Sequence, residues 1–222
     1  MELALFVEMF YLSSMKKFLL FVFLGLFLLS SCKKGKADFT LKGTVSDTTF
    51  GTALDGATVR LYATKAGEIT SDQIASATLN ASGEYSFTFP RDKIETYYLE
   101  ITKENYFDIY ETIPFADLTI EEDNVYDLST NAKGWVKFHI VNNNGQASDV
   151  LEYIRQEGKI NCEECCPGGY QYFYGAVDTT FYCVNDGNAE YSGYYWEQGG
   201  GASGPVWTMT PPFDTVEINI SY

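Results

Sequence analysis

The sequence predicts an all-β protein made of two tandem antiparallel β-sandwiches behind an N-terminal export segment. Three observations predict it. Tyr, Phe, Val, Thr and Ile dominate the ordered-looking stretches, and Gly, Asn and Asp separate them, which is β composition. Those stretches are short and alternate apolar with polar residues, as half-buried strands do. No segment after residue 37 sustains a helical period; only Ser71–Ala77 and Asp149–Gln156 leave a short helix open.

The export segment comes first. Phe18 to Leu29 is an unbroken apolar run of twelve residues, preceded by Met15-Lys16-Lys17 and closed by Ser30-Ser31-Cys32. A spanning helix needs about 20 residues, so the run is too short to cross and remain. A basic flank, a short apolar core and small residues before a cut site are the plan of a signal peptide. Residues 1–14 carry two glutamates and no basic residue, so Met15 is the expected start and 1–31 the expected signal. Leu29-Ser30-Ser31-Cys32 resembles a bacterial lipobox. That resemblance implies a lipidated, palmitate-bearing Cys32 as the new N-terminus, with three acyl chains, enough for stable attachment. Residues 32–38 then form a tether. Its Lys33, Lys34 and Lys36 either rest on anionic headgroups or stay solvated.

From residue 39 to 130 the alternation is nearly continuous. Phe39–Val45, Ala57–Tyr62, Ile74–Leu79, Glu84–Phe89, Thr96–Thr102, Asp108–Ile113 and Asn124–Leu128 read as strands. Ser46–Gly56 and Asn80-Ala81-Ser82-Gly83 read as loop and turn, and Pro90 as a stop. Seven short strands at this spacing predict a sandwich. Gly43-Thr44-Val45, Leu54-Asp55-Gly56-Ala57-Thr58-Val59-Arg60-Leu61, Ser82-Gly83-Glu84-Tyr85-Ser86-Phe87 and Tyr98-Leu99-Glu100-Ile101 with Tyr106 resemble the carboxypeptidase regulatory-like domains. Those are prealbumin-like sandwiches related in plan to Cna-B modules. The resemblance covers roughly residues 39–110. It implies a structural or interaction role, no catalytic residues, and a Bacteroidetes-type cell-envelope lipoprotein. Some modules of this class carry a Lys–Asn isopeptide bond. Lys42 is the first-strand candidate, but Phe39, Leu41 and Val45 form the core set, so Lys42 points outward and no such bond is expected.

Residues 131–222 predict a second sandwich. Trp135–Val141 is a strong strand with Val136, Phe138 and Ile140 facing the core. Asn142–Gly145 is a turn. Ala176–Val184 is a candidate strand pair, followed by a tight turn at Asn185–Asn188. Tyr191–Glu197 is aromatic-rich, Gly199–Gly204 a flexible loop, and Val206–Met209 and Thr215–Ile220 are strands, the last an edge or closing strand.

Four cysteines follow Cys32: Cys162, Cys165, Cys166 and Cys183. An even number in an exported chain predicts two disulfides. A bond between the adjacent Cys165 and Cys166 makes a small strained ring, which leaves Cys183 paired with Cys165 or Cys166. A four-cysteine zinc site is the rival; Cys162 and Cys165 have the spacing, but a second separated pair is lacking.

No constellation predicts catalysis, a cofactor or a metal. His139 is the only histidine and shares a face with Lys137, away from the core residues. No nucleophile elbow accompanies it. Glu163-Glu164 are adjacent and diverge, unlike paired glycosidase acids. Asp186-Gly187-Asn188 lacks the spaced ligands of a calcium loop. From Cys32 onward 13 Lys and Arg face 28 Asp and Glu, a balance that repels nucleic acid. The feature suited to binding is the aromatic set around Tyr170, Tyr172, Tyr174, Trp196 and Trp207. Alternate members of the set either fill the sandwich core, as Phe173 and Tyr195 are expected to, or display their hydroxyls together, as the alternation of Tyr170, Tyr172 and Tyr174 on one side of a strand allows. Exposed patches of that kind are uncommon on monomers, which favours the core. The expected function is a non-enzymatic lipoprotein of the cell envelope, lipid-anchored to the outer membrane and facing either the periplasm or the surface. It would serve as a structural or protein-interaction module. The alternative is a carbohydrate-binding lipoprotein that uses those aromatics on a glycan partner.

Overall fold

Period-two burial is what builds the structure, a computed structural model that describes residues 37–143 and 145–222. The expected signal segment, Cys32 and the tether up to residue 36 lie outside the described residues. Asp38–Tyr222 forms one compact unit. Within it, β1 (Asp38–Asp47), β2 (Thr52–Ala53), β3 (Thr58–Lys65), β4 (Ser71–Thr78), β5 (Glu84–Pro90), β6 (Ile94–Thr102), β7 (Ile109–Pro114), β8 (Asn124–Val125) and β9 (Leu128–Thr130) come first. Then come β10 (Lys133–Val141), β11 (Val150–Glu157), β12 (Gln171–Tyr174), β13 (Asp178–Asp186), β14 (Ala189–Glu197), β15 (Ser203–Thr210) and β16 (Thr215–Ser221). A single 3-10 turn, Phe115–Asp117, is the sole helical segment among the described residues.

Two pairs of sheets result. In the first, β2-β1-β5 with β8 and β9 faces β4-β3-β6-β7. Alternate residues of both sheets, such as Phe39, Leu41, Val59, Leu61, Leu99 and Ile113, are buried in a shared core. In the second, β13-β10-β16 faces β12-β11-β14-β15, and Val136, Phe138, Ile140, Leu151, Tyr153 and Tyr191 fill the space between. The two cores part between Ala132, which belongs to the first, and Val136, which opens the second. The fold is thus all-β sandwich, as composition and alternation predict, and the anticipated core sets of β1 and β10 are buried.

Several local expectations are corrected. Both segments left open as helix are strands. Ser71–Ala77 lies in β4, paired with β3, and Asp149–Gln156 falls almost wholly in β11, between β12 and β14. Leu151 and Tyr153 bury on one face and β11 has hydrogen-bonding neighbours on both sides, so sheet pairing overrides the local helix-compatible mix of residues. Ala176–Val184 is no strand pair: β13 is one continuous strand along the whole of β10. The turn after it carries the chain from one sheet to the other, because β14 pairs with β11 and β15 rather than with β13. Part of the predicted glycine loop is also strand, since β15 starts at Ser203. Pro205 sits within β15 at the sheet's edge, where a missing N–H is tolerated.

Pairing is antiparallel except at two closures. β8 and β9 run parallel to β1, and β16 runs parallel to β10. The first closure depends on Gly43. A Cβ there would lie 1.9 Å from the carbonyl oxygen of Tyr126. The absent side chain lets residues 126–128 approach, so the Tyr126 N–H donates to the Lys42 carbonyl at 2.9 Å. The Tyr85 hydroxyl donates to the Tyr126 carbonyl at 2.7 Å. The Thr44 N–H and hydroxyl both donate to Asp127 Oδ1, each at 2.8 Å, and these two bonds hold the Asp127 carboxyl below its ordinary pKa. Lys42 projects from the outer face and pairs with Asp123 at 2.6 Å, each half-exposed. An amide link to a buried partner would need Lys42 to point the other way.

The two cores are joined by a short, well-bonded segment that the sequence did not announce. Ala132 bridges Tyr106, and the Lys133 N–H donates to the Asn105 carbonyl at 2.7 Å. Gly187 N–H donates to the Ala132 carbonyl at 2.8 Å, and Phe213 N–H to the Lys133 carbonyl at 2.7 Å. Around these bonds Phe213 stacks on Phe50 and meets Tyr106 edge-on, with centroids 5.7 and 5.4 Å apart. Lys159 and Lys133 place their ammonium groups over the Phe107 ring. The buried Tyr106 hydroxyl donates to Asp47 Oδ2 at 2.7 Å; burial and that carboxylate together push the phenol well above its ordinary pKa.

Candidate interaction face

Antiparallel register decides which rings share a surface, because directly opposed residues project from the same side of a sheet. In β12-β11-β14-β15, Tyr172 opposes Glu152, Glu152 opposes Trp196, and Trp196 opposes Ser203. One step along, Ile154 opposes Tyr194, and Tyr194 opposes Pro205. The other parity, Leu151, Tyr153, Phe173 and Tyr195, packs into the second core. Gly193 makes room for that packing: a Cβ there would meet the Tyr153 hydroxyl at 2.5 Å. Burial raises the Tyr153 phenol far above its ordinary pKa, so it stays neutral in the core.

The outer parity is therefore an aromatic surface. Tyr172 stacks beside Tyr174 with centroids 6.3 Å apart, and Tyr170 lies 6.5 Å from Tyr172. Tyr170 meets Trp196 edge-on at 5.7 Å, and Trp196 lies 6.2 Å from Tyr194. Tyr174 and Trp207 are the most open, at 68 and 69 % exposure. All five aromatic residues singled out from the sequence lie on this face. Tyr194, which belongs to the same aromatic-rich stretch of sequence, joins them on this face by its register.

The cysteines stand behind one rim of the sheet. Cys162 is bonded to Cys165 and Cys166 to Cys183. The second bond ties the segment before β12 to β13, with Cys183 fully buried. With all four thiols bonded, none is free for zinc, and among the described residues no three His, Cys, Asp or Glu side chains converge as metal ligands. Arg155, on the inner parity of β11, is 9 % exposed and donates to the carbonyls of Lys159 at 2.6 Å and Cys166 at 2.8 Å, so it staples this loop to the sheet.

The remaining candidates are in ordinary settings. His139 Nε2 lies 2.9 Å from Asp178 Oδ1 on the outer face of β13-β10-β16. Glu164 pairs with Lys133 at 2.7 Å, and Glu163 is exposed. Asp186 is held by Lys159 at 2.9 Å, so its carboxylate serves an ion pair at the sheet crossover.

No known family's model matches the chain, and no curated protein matches it. Solved structures do. The chain is similar to a minor pilin of Streptococcus agalactiae at 15 % identity and a TM-score of 0.36, over 82 % of this chain and 94 % of that one. It is similar to the TIE protein of Bacillus anthracis at 12 % and 0.33, over 83 % of this chain and 34 % of that one. It is similar to a shaft pilin of Lactobacillus rhamnosus GG at 11 % and 0.31, over 83 % of this chain and 96 % of that one. Likeness at this level says nothing of activity or partners.

Proposed function

We propose that this chain is a non-enzymatic interaction module of the cell envelope, lipid-anchored through Cys32 to the outer membrane, that grips an envelope partner with the outer face of β12-β11-β14-β15. The observation that carries it is the run of exposed rings at Tyr170, Tyr172, Tyr174, Tyr194 and Trp207 beside Trp196. Contiguous apolar patches are uncommon on monomers and mark binding surfaces where they occur. Two sandwich cores, the first under prealbumin-like sequence motifs, suit a spacer that holds such a face away from a membrane. The anchor is tested by mass spectrometry of the native protein, which should find residues 1–31 removed and Cys32 acylated. The face is tested by pull-down from membranes: Trp196→Ala with Trp207→Ala should lose the partner that the unaltered chain captures. Capture unchanged by the double substitution would remove the proposal.

A second use of the same face is supported by its ring geometry. Flat rings with polar tips, spaced along a strand, can stack on sugars. A glycan array on which binding disappears with Trp196→Ala would favour a carbohydrate partner, and a silent array would count against it.

A further inference from the structure

We infer that the aromatic face recognises arginine side chains on an extended segment of a partner protein, an inference that rests on that face being the binding surface. The central polar group of the face is a carboxylate, and it is flanked on the two neighbouring strands by aromatics. Glu152 lies in the row Tyr172–Glu152–Trp196, with Tyr170 edge-on to Trp196 at 5.7 Å. Gln198 donates an amide hydrogen to Glu152 Oε1, which sets the carboxylate's orientation and leaves its other oxygen for a ligand. A guanidinium is planar, stacks on tyrosine and tryptophan, and can pair with a carboxylate at the same time.

Charge points the same way. On the outer parity the four strands of this sheet carry Glu152, Glu157 and Glu190; Glu197 and the one cation, Arg155, are on the inner parity. Arg155 is buried on the other parity and already donates to two carbonyls. No lysine or arginine of these strands therefore competes for the face. The chain as a whole carries a formal charge of −15, which draws a basic partner and repels an acidic one.

The test uses the intact chain, purified from membranes in detergent, and three probes. These are a short extended peptide with alternating arginines, the same peptide with citrulline in place of arginine, and a set of neutral hexasaccharides. Tryptophan fluorescence and calorimetry report binding. The arginine peptide should bind, with affinity reduced about tenfold by Glu152→Gln and by citrulline replacement, and reduced again when salt rises from about 50 to about 500 mM. Glu152 is a surface residue, and an unchanged melting temperature for Glu152→Gln confirms that the fold is kept. Equal binding of arginine and citrulline peptides, or no effect of Glu152→Gln, overturns the inference. Binding of neutral hexasaccharides alone, abolished by Trp196→Ala, overturns the arginine preference while the face remains the site. Binding untouched by Trp196→Ala and Trp207→Ala together overturns both.

Discussion

Removing the two disulfides one at a time should separate their contributions by the length of chain each encloses. Cys166–Cys183 spans 17 residues and Cys162–Cys165 only 3. Loop-closure entropy assigns about 3 kcal/mol to the first and about 2 kcal/mol to the second. Cys183 is fully buried in the second core, so truncating it also leaves a small void that adds to the larger loss. The comparison is between Cys166→Ala/Cys183→Ala and Cys162→Ala/Cys165→Ala, each a clean removal of one bridge. All three tryptophans, Trp135, Trp196 and Trp207, lie in the half of the chain around that core, so urea unfolding followed by fluorescence reports on it directly. For a chain of this size the expected falls in melting temperature are about 6–12 °C and about 4–8 °C. Equal losses, or a greater loss for the short bridge, would refute the assignment of stability to loop length.

Other perturbations address other links of the structure. Gly43→Ala should cost about 1–3 kcal/mol, because its methyl group meets the Tyr126 carbonyl; hydrogen exchange should quicken along β1, and unchanged protection would show that the closure shifts freely. Tyr106→Phe removes the hydroxyl from Asp47 and should cost about 1–3 kcal/mol, read by calorimetry; no change in melting would mean the bond contributes nothing net. Asp127 is held below its ordinary pKa by Thr44, so its contribution is complete above the ordinary aspartate range and is lost as pH falls through its lowered folded value. Asp127→Asn should then flatten the decline in stability between about pH 5 and about pH 2, and an identical acid profile would sink that assignment. Phe213→Ala should leave both cores folded but raise protease cleavage near Asn131–Lys133, since it removes the ring between Phe50 and Tyr106; unchanged cleavage would mean the backbone bonds alone hold the joint.

What was legible in the sequence was whatever depends on neighbours two residues apart. Phe39, Leu41 and Val45 announce a buried face, as do Val136, Phe138 and Ile140, and all are buried. β11 was ambiguous because Glu152, Arg155 and Gln156 suit a helix as well as a strand. Its two hydrogen-bonding partners, which decided the matter, pair with it at separations of 18 residues or more. The parallel closures by β9 and β16 were invisible for the same reason. Within the aromatic set, alternation places Tyr170, Tyr172 and Tyr174 on one side of a strand. It cannot show that Trp196, Tyr194 and Trp207 come from the matching side of two other strands. That needs the register of β11 with β14 and of β14 with β15. The joint left no local signal, because Phe50, the adjacent Tyr106 and Phe107, and Phe213 come from three separate turns.

The entry strand has a mechanical consequence. Asp38 begins β1, which is flanked along its length by β5 and β2 on one side and by β8 and β9 on the other. A pull directed along β1 from Asp38 would load the ladders on its flanks together, so many bonds would share the tension instead of opening one after another. Covalently, β9 meets β10 through Asn131 and Ala132, and Ala132 is bonded to both halves, donating to Thr49 and accepting from Gly187. Under such a pull the sheet would yield by rupture rather than by gradual unravelling.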